Sequence, residues 1–259
     1  GRPVRLVDAT SLPKAGREDR DAGGRWRIHS VFDLASERFS AFALTDESKA
    51  EVIDRAEVVT GEIRVCDRAY LQPDRIAKIL AAGADIVVRA GWNNARWLDC
   101  DGNRLDLIAL LQKARRKGLI DQPIWIQGSA PTPLALRLVA IRKPKQSRDL
   151  ALDKLQRHAR DKGRNLQPQT LVAAEWVIIV TSLDRGDYPL AAISSLYRLR
   201  WRIEIAFKHL KSGAGLLTGP PGTDDRSAKA HILCHLLLAL LIEPLLTEHL
   251  GDSPRQAAA

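Results

Sequence analysis

Residues 1–91 contain short runs in which apolar and β-branched residues alternate with polar ones. A period of two is typical of strands with one buried face. This pattern predicts five strands, at Val4–Asp8, Trp26–Leu34, Arg38–Leu44, Ile63–Asp67 and Asp85–Ala90. Because only a short turn at residues 35–37 separates the second strand from the third, the first three should form an antiparallel meander. The first and fourth predicted strands both end on an acid.

Residues 92–183 show a different pattern, in which short strands are mixed with short helices. A hairpin is predicted at Trp97–Leu105, turning at Asp101 and Gly102. The other predicted elements are a helix at 107–117, strands at 124–127, 136–142 and 176–182, and a charged helix at 148–163. This block is therefore predicted to be a mostly-β insertion.

Apolar residues at helical spacing predict the remaining elements. These are helices at 46–58, 73–82, 190–212 and 227–250, the last two separated by Gly-Pro-Pro-Gly at 219–222. The predicted organisation is an α/β core made of residues 1–91 and a helical part at 184–250. The β-rich insertion 92–183 interrupts this core, and a frayed tail follows at 251–259.

Charge and cysteine content narrow the function classes. Forty Lys and Arg against 31 Asp and Glu give a net charge of +9, which suits a polyanionic partner such as nucleic acid. The three cysteines, Cys66, Cys100 and Cys234, form no close pair, which argues against a disulfide framework and for a reducing compartment. No apolar run is long enough to predict a membrane span, and no secretory signal is apparent.

The segment Tyr197–Lys211 is the most informative in the chain. On one continuous helix at about 100° per residue, Tyr197, Arg200, Glu204, Lys208 and Lys211 would share roughly a quarter of the circumference. An apolar stripe beside them would face the core; it consists of Leu199, Ile203, Ala206 and Leu210. Since Glu204 is the one acid among five Lys and Arg in residues 197–212, this face is suited to a phosphate backbone.

Two interpretations of Glu204 remain open at this point. It could form i,i+4 salt bridges with Arg200 and Lys208 on a solvated face, or it could bind a cation. Asp8 and Asp67 could likewise be ordinary strand-ending or capping residues. Together, however, two strand-end carboxylates and one helix carboxylate could converge on a pair of Mg²⁺ or Mn²⁺ ions, which prefer oxygen ligands. Such a pair of ions can promote phosphodiester chemistry.

These residues resemble a known family. The spacing Tyr-x2-Arg-x3-Glu-x6-Lys at Tyr197, Arg200, Glu204 and Lys211 is similar to the signature of the insertion-sequence-four family of bacterial transposases. The order of the acids also fits, with an Asp in Val-Asp-Ala-Thr-Ser and another in Val-Cys-Asp-Arg-Ala-Tyr, then a long insertion, then Glu. The resemblance runs from about residue 4 to about residue 250.

The resemblance implies a ribonuclease-H-like, retroviral-integrase-like core with a catalytic triad of Asp8, Asp67 and Glu204 holding two Mg²⁺ or Mn²⁺ ions. It implies strand nicking, attack by a 3′-hydroxyl and strand transfer on double-stranded DNA, performed by a homodimer in the bacterial cytoplasm at the nucleoid. The DNA contacts that it implies are Tyr197, Arg200, Lys208, Lys211 and Arg89, together with base stacking on Trp176. The alternative interpretation of Trp176 is a core aromatic of its strand.

Two departures from the family pattern bear on function. Many members have Gly after the second Asp, where this chain has Arg68. With the first acid already at Asp8, the chain is expected to lack the N-terminal domain that recognises transposon ends. Two alternative functions therefore stay open: a non-catalytic DNA-binding fragment, and a nuclease of the same fold.

Overall fold

The computed structural model describes residues 1–12, 26–163, 165–213, 216 and 225–250, with side chains as far as residue 241. The protein is mixed α/β. Its strands are β1 (Val4–Ser11), β2 (Trp26–Asp33), β3 (Arg38–Asp46), β4 (Ile63–Cys66), β5 (Asp85–Arg89), β6 (Arg96–Leu98), β7 (Leu119–Gln127), β8 (Leu134–Arg142) and β9 (Trp176–Thr181). Its helices are α1 (Pro73–Ala81), α2 (Leu107–Lys113), α3 (Lys145–Asp161), α4 (Pro168–Ala174), α5 (Leu190–Arg198), α6 (Trp201–Gly213) and α7 (Asp225–Leu250), and a 3-10 turn covers Arg68–Tyr70.

The chain folds as two compact units. The larger unit contains Gly1–Arg2 and Val52–Leu199, and the smaller unit contains Pro3–Glu51 and Arg200–Ala259. The predicted glycine- and proline-rich separator at 219–222 and the predicted frayed tail lie outside the described residues. No helix in the part of the chain that the structure describes combines the length and apolar character of a membrane span.

In the smaller unit, the predicted antiparallel meander is confirmed. β1 pairs with β2 and β2 with β3, and residues 34–37 form the turn between β2 and β3. The prediction that the first strand ends at Asp8 is wrong, because β2 is long enough to pair with three further residues, up to Ser11 opposite Arg27. Asp8 therefore lies inside β1, opposite Ser30. α6 packs against β1, and α7 packs against β3.

In the larger unit, the strand order is β4-β5-β9-β8-β7-β6. β4 and β5 are parallel, and every later pairing is antiparallel. The strands at the centre have almost continuous buried runs, which is typical of a sheet covered on both faces. α5 packs on β4 and β5, while α4 packs on β9 and contacts α2 and α3. The sequence pattern gave no sign of α4.

The helix predicted at 46–58 is wrong, because residues 47–62 form turns and irregular backbone. The physical reason is Arg64, which is completely buried on β4. Its guanidinium donates to the backbone carbonyls of Ile53, Ala56 and Glu57 and forms an ion pair with Glu62. Because these carbonyls accept hydrogen bonds from the buried guanidinium, they do not accept from the backbone amides of a helix.

The single helix predicted at 190–212 is also wrong, since α5 ends at Arg198 and α6 begins at Trp201. The amide of Leu199 donates to the carbonyls of Ser195 and Leu196, and the amide of Ile203 donates to that of Arg200. Two of these bonds, Leu199 to Leu196 and Ile203 to Arg200, are of the i→i−3 type and tighten the chain at the junction. The spacing of apolar residues could not predict this break, because Leu199 keeps helical backbone angles.

A buried ion pair fixes the connection between β9 and α5. The Arg137 guanidinium binds Asp121 through two hydrogen bonds of 2.7 and 2.9 Å, and this contact lowers the pKa of the Asp121 carboxyl. The same guanidinium donates to the carbonyls of Leu183, Asp184 and Tyr188. The strands β7 and β8 therefore hold the segment that leads into α5.

Candidate active site

In the larger unit, Asp67 receives contacts from two of the predicted site residues. It directly follows β4, which ends one residue before the predicted strand end, and it occupies the N-cap position of the 3-10 turn without a side-chain capping hydrogen bond. Because α5 packs on β4 and β5, Tyr197 reaches this position, and its hydroxyl donates to Asp67 Oδ1 at 3.3 Å. Arg89, the last residue of β5, places its Nη1 3.9 Å from the same oxygen. Asp67 and Arg89 are each about one-third exposed.

In the smaller unit, Asp8 and Glu204 are joined through one guanidinium. Arg200 Nη1 donates to Asp8 Oδ2 at 3.2 Å, and its Nη2 donates to Glu204 Oε1 at 2.5 Å. The packing of α6 against β1 allows this arrangement. The side chains of Asp8 and Arg200 are 16% and 15% exposed, whereas that of Glu204 is 57% exposed. One of the two predicted i,i+4 salt bridges, Arg200 to Glu204, is therefore present.

The two lysines of α6 that the resemblance places on DNA, Lys208 and Lys211, differ in exposure. Ile203, Phe207 and Leu210 are buried, and the Phe207 ring lies 5.5 Å from that of Phe39 on β3. Lys208 is exposed on the opposite face. Lys211 is half-buried, donates to the Ser11 carbonyl at 3.3 Å, and has its pKa lowered by burial.

The family profile described as Transposase DDE domain matches residues 1–241. The putative transposase InsL for insertion sequence element IS186A, from Escherichia coli strain K12, is 34% identical over 264 residues, covering 100% of this chain and 70% of the relative. The transposase for insertion sequence element IS421, from Escherichia coli, matches with the same identity and coverage.

The chain belongs to the transposase DDE domain family. It is a DNA transposase domain, and thus part of a class of enzymes that cleave DNA and transfer its strands. The resemblance inferred from Tyr197, Arg200, Glu204 and Lys211 is confirmed at the level of the family.

Trp176 of this transposase domain lies in the interior. It is the first residue of β9 and is 2% exposed, so neither face of its indole is available to a DNA base in this conformation. The indole N–H has no hydrogen-bond partner among the described residues. This burial favours the alternative of a core aromatic over base stacking.

Two residues that sequence reasoning missed lie beside the predicted ones. Trp201, which directly follows Arg200, is 50% exposed and is the only aromatic among the large exposed hydrophobic residues in the described ranges. Its signal in the sequence was an aromatic one position after the signature Arg. Lys143 follows β8, donates to the Ala174 carbonyl at 2.7 Å, and has its pKa lowered by burial and by the nearby charge of Arg89.

Lys143 and Lys211 share one property. Each is partly buried, and neither forms an ion pair with a carboxylate within the ranges that the structure describes. Burial without a counter-charge disfavours the ammonium form, which is why both pKa values are lowered. A phosphate oxygen placed beside either one would supply the missing negative charge.

Transposase DDE domains depend on metal ions. Among the described residues, no three His, Cys, Asp or Glu side chains form a group that could hold an ion. The donor chemistry nevertheless fits, because carboxylate oxygens are the ligands that Mg²⁺ and Mn²⁺ prefer. Asp8 and Glu204 already bind one cationic group between them, the Arg200 guanidinium.

Proposed function

We propose that this chain is the catalytic domain of a cut-and-paste transposase in which Asp8, Asp67 and Glu204 hold two Mg²⁺ or Mn²⁺ ions. The observation that carries the proposal is the joint binding of one positive charge by Asp8 and Glu204, which come from β1 and α6. Asp67 supplies the third carboxylate at the end of β4. Bound ions would activate an attacking oxygen and stabilise the leaving oxygen of a phosphodiester.

The chain's own residues would bind and orient the DNA. Tyr197 and Arg89 contact Asp67 and are placed to hold a phosphate beside that carboxylate. Lys208 and Lys211 extend the positive charge along α6. Cleavage by water breaks a P–O3′ bond at the transposon end, leaving a 3′-hydroxyl on one side and a 5′-phosphate on the other. The 3′-hydroxyl then attacks a phosphodiester of the target DNA, becomes joined to the target's 5′-phosphate and releases the target's 3′-hydroxyl as the leaving group. We infer double-stranded DNA as the substrate, and two copies of the chain acting on paired ends.

The proposed fold is a ribonuclease-H-like core with an insertion at 92–183. The antiparallel β1–β2–β3 meander and the parallel pair of β4 and β5 support the core assignment. The elements β6 to β8 and α2 to α4 lie within the proposed insertion, and their strands extend the sheet of the larger unit.

Metal removal tests the proposed function directly. A labelled duplex from the end of the insertion sequence that encodes the chain should be nicked and joined to a plasmid target in Mg²⁺ or Mn²⁺. Both reactions should stop in EDTA and return with excess Mn²⁺, with products resolved on a denaturing gel. Cleavage that persists in EDTA contradicts the proposal. A gel shift without cleavage at every metal concentration supports a DNA-binding fragment, and cleavage without joining supports a nuclease.

We also propose that Trp201 stacks on a DNA base beside the carboxylates. Replacing Trp201 by Ala should weaken binding of the same duplex by about 1–3 kcal/mol, the usual contribution of one stacked base. Trp201→Phe should retain most of the affinity, since it keeps an aromatic face. Fluorescence anisotropy measures both variants. Because the side chain is half exposed, neither substitution should change the melting temperature appreciably. Equal affinity of the Ala variant and the parent would contradict the assignment.

A further inference from the structure

Arg200 lies where a positive charge is needed by both Asp8 and Glu204. Its two terminal nitrogens each bind a different carboxylate, at 3.2 and 2.5 Å. The guanidinium is a permanent positive charge. A divalent ion approaching the two carboxylates therefore meets a fixed positive charge, and the two cations compete for the same oxygens.

Of the two competing ion pairs, the pair with Glu204 is weak enough to exchange, whereas Asp8 and Arg200 are only 16% and 15% exposed, so that this second pair exchanges only for a stronger partner. The Glu204 side chain is 57% exposed, and ion pairs of exposed side chains contribute little because water screens them. Arg200 also lies at the junction between α5 and α6 and not within either helix, where its long side chain can turn away without disturbing a helical turn.

DNA offers Arg200 another partner. A guanidinium binds phosphate through two parallel hydrogen bonds, a geometry that suits phosphate at least as well as two separate carboxylates. Lys208 and Lys211 follow on the same helix, and Lys211 has no carboxylate partner among the described residues. A DNA backbone that follows this helix would therefore bring a phosphate within reach of Arg200.

We propose that Arg200 couples DNA binding to metal binding. Without DNA, Arg200 holds Asp8 and Glu204 and weakens their affinity for the divalent ion. When DNA is bound, a phosphate draws Arg200 away, and the two carboxylates become free to bind the metal. Divalent ions would then bind tightly only in the DNA complex, which limits cleavage away from the transposon end. This inference rests on the proposed function of Asp8 and Glu204 as metal ligands.

The test is Mn²⁺ affinity, measured by electron paramagnetic resonance of the free ion in the absence of DNA. Arg200→Gln should bind Mn²⁺ about tenfold more tightly than the parent, within the usual range of coupling between two sites. Arg200→Met, which keeps most of the side-chain length, should behave in the same way. Arg198→Gln is the matched control, because it removes the same charge from an exposed residue two positions away and should leave Mn²⁺ affinity unchanged.

The reciprocal measurement adds an end duplex that is already cleaved and that ends in a 3′-dideoxynucleotide, so that neither nicking nor strand transfer can occur. In the parent, DNA should raise Mn²⁺ affinity, and Mn²⁺ should raise DNA affinity by the same factor, since coupling is reciprocal. Both effects should shrink in Arg200→Gln and persist in Arg198→Gln.

Two failures can be told apart. If Glu204→Gln binds Mn²⁺ as tightly as the parent with DNA present, the metal-ligand assignment itself is wrong. If Glu204→Gln loses the ion but Arg200→Gln binds it no more tightly than the parent, the triad stands and the coupling by Arg200 is overturned. Circular dichroism melting confirms that each variant is folded.

Discussion

Replacing Glu204 by Gln is expected to reduce DNA cleavage and strand transfer by at least about 100-fold, since losing a metal ligand should exceed the 10–100-fold cost of losing a residue that only supports one. Gln keeps the shape of the side chain but removes the negative charge that the ion requires. The fold should be unaffected, because Glu204 is largely exposed and its ion pair with Arg200 lies at the surface. Nicking and joining assays in Mn²⁺, with thermal melting alongside, measure both effects.

A matched control for this variant lies in the same unit. Glu37 also forms an ion pair with an arginine of α6, Arg202, and is about one-third exposed. Glu37→Gln therefore makes the same chemical change and breaks a comparable ion pair, but away from Asp8 and Arg200. It should cleave DNA at the parent rate. If Glu204→Gln is as active as the parent, Glu204 is not a metal ligand.

Replacing Trp176 by Ala is expected to lower the free energy of unfolding by about 3–5 kcal/mol, the usual cost of deleting a buried aromatic. Trp176 is 2% exposed, so its removal leaves a cavity at the start of β9. Trp176→Phe should cost much less, because it keeps most of the volume and removes an indole N–H that has no partner among the described residues. Urea unfolding followed by fluorescence measures both variants.

The same variants separate the two interpretations of Trp176. A core residue predicts loss of stability for Ala, with DNA affinity retained below the unfolding transition. A stacking residue predicts the opposite, namely a parent-like unfolding midpoint with weaker DNA binding. The second outcome would restore the interpretation made from the family resemblance and require β9 to expose its first residue when DNA binds.

Short runs of apolar and β-branched residues predicted where the meander strands lie, although burial along them does not alternate and residues 28–32 of β2 are buried without a break. The pattern could not show how far a strand pairs: β1 passes Asp8 because β2 offers partners up to Arg27. It also could not show that the helix predicted at 46–58 does not form. Arg64, on β4, prevents it by binding the carbonyls of Ile53 and Glu57. Both errors come from interactions between segments, which local periodicity does not contain.

Site residues could be predicted where a motif fixes their types and spacing. They were harder to predict where a residue's role depends on whether its side chain is exposed. The signature spacing predicted Arg200 and Glu204 as site residues, and the structure shows them in contact. Trp176 and Trp201 could not be sorted from sequence alone, because the local sequence does not determine how deeply an aromatic side chain is buried. Only burial distinguishes them, at 2% for the first and 50% for the second.

The ion pair of Arg137 and Asp121 has a consequence for anyone who exchanges segments between transposases. Both residues lie within the proposed insertion at 92–183, yet Arg137 also holds the carbonyls of Asp184 and Tyr188, which follow it. A chimaera that takes β8 from one parent and β7 from another could inherit the buried guanidinium without its carboxylate. Such grafts should therefore move β7, β8 and the residues up to 189 as one piece, so that the approach to Tyr197 is carried over intact.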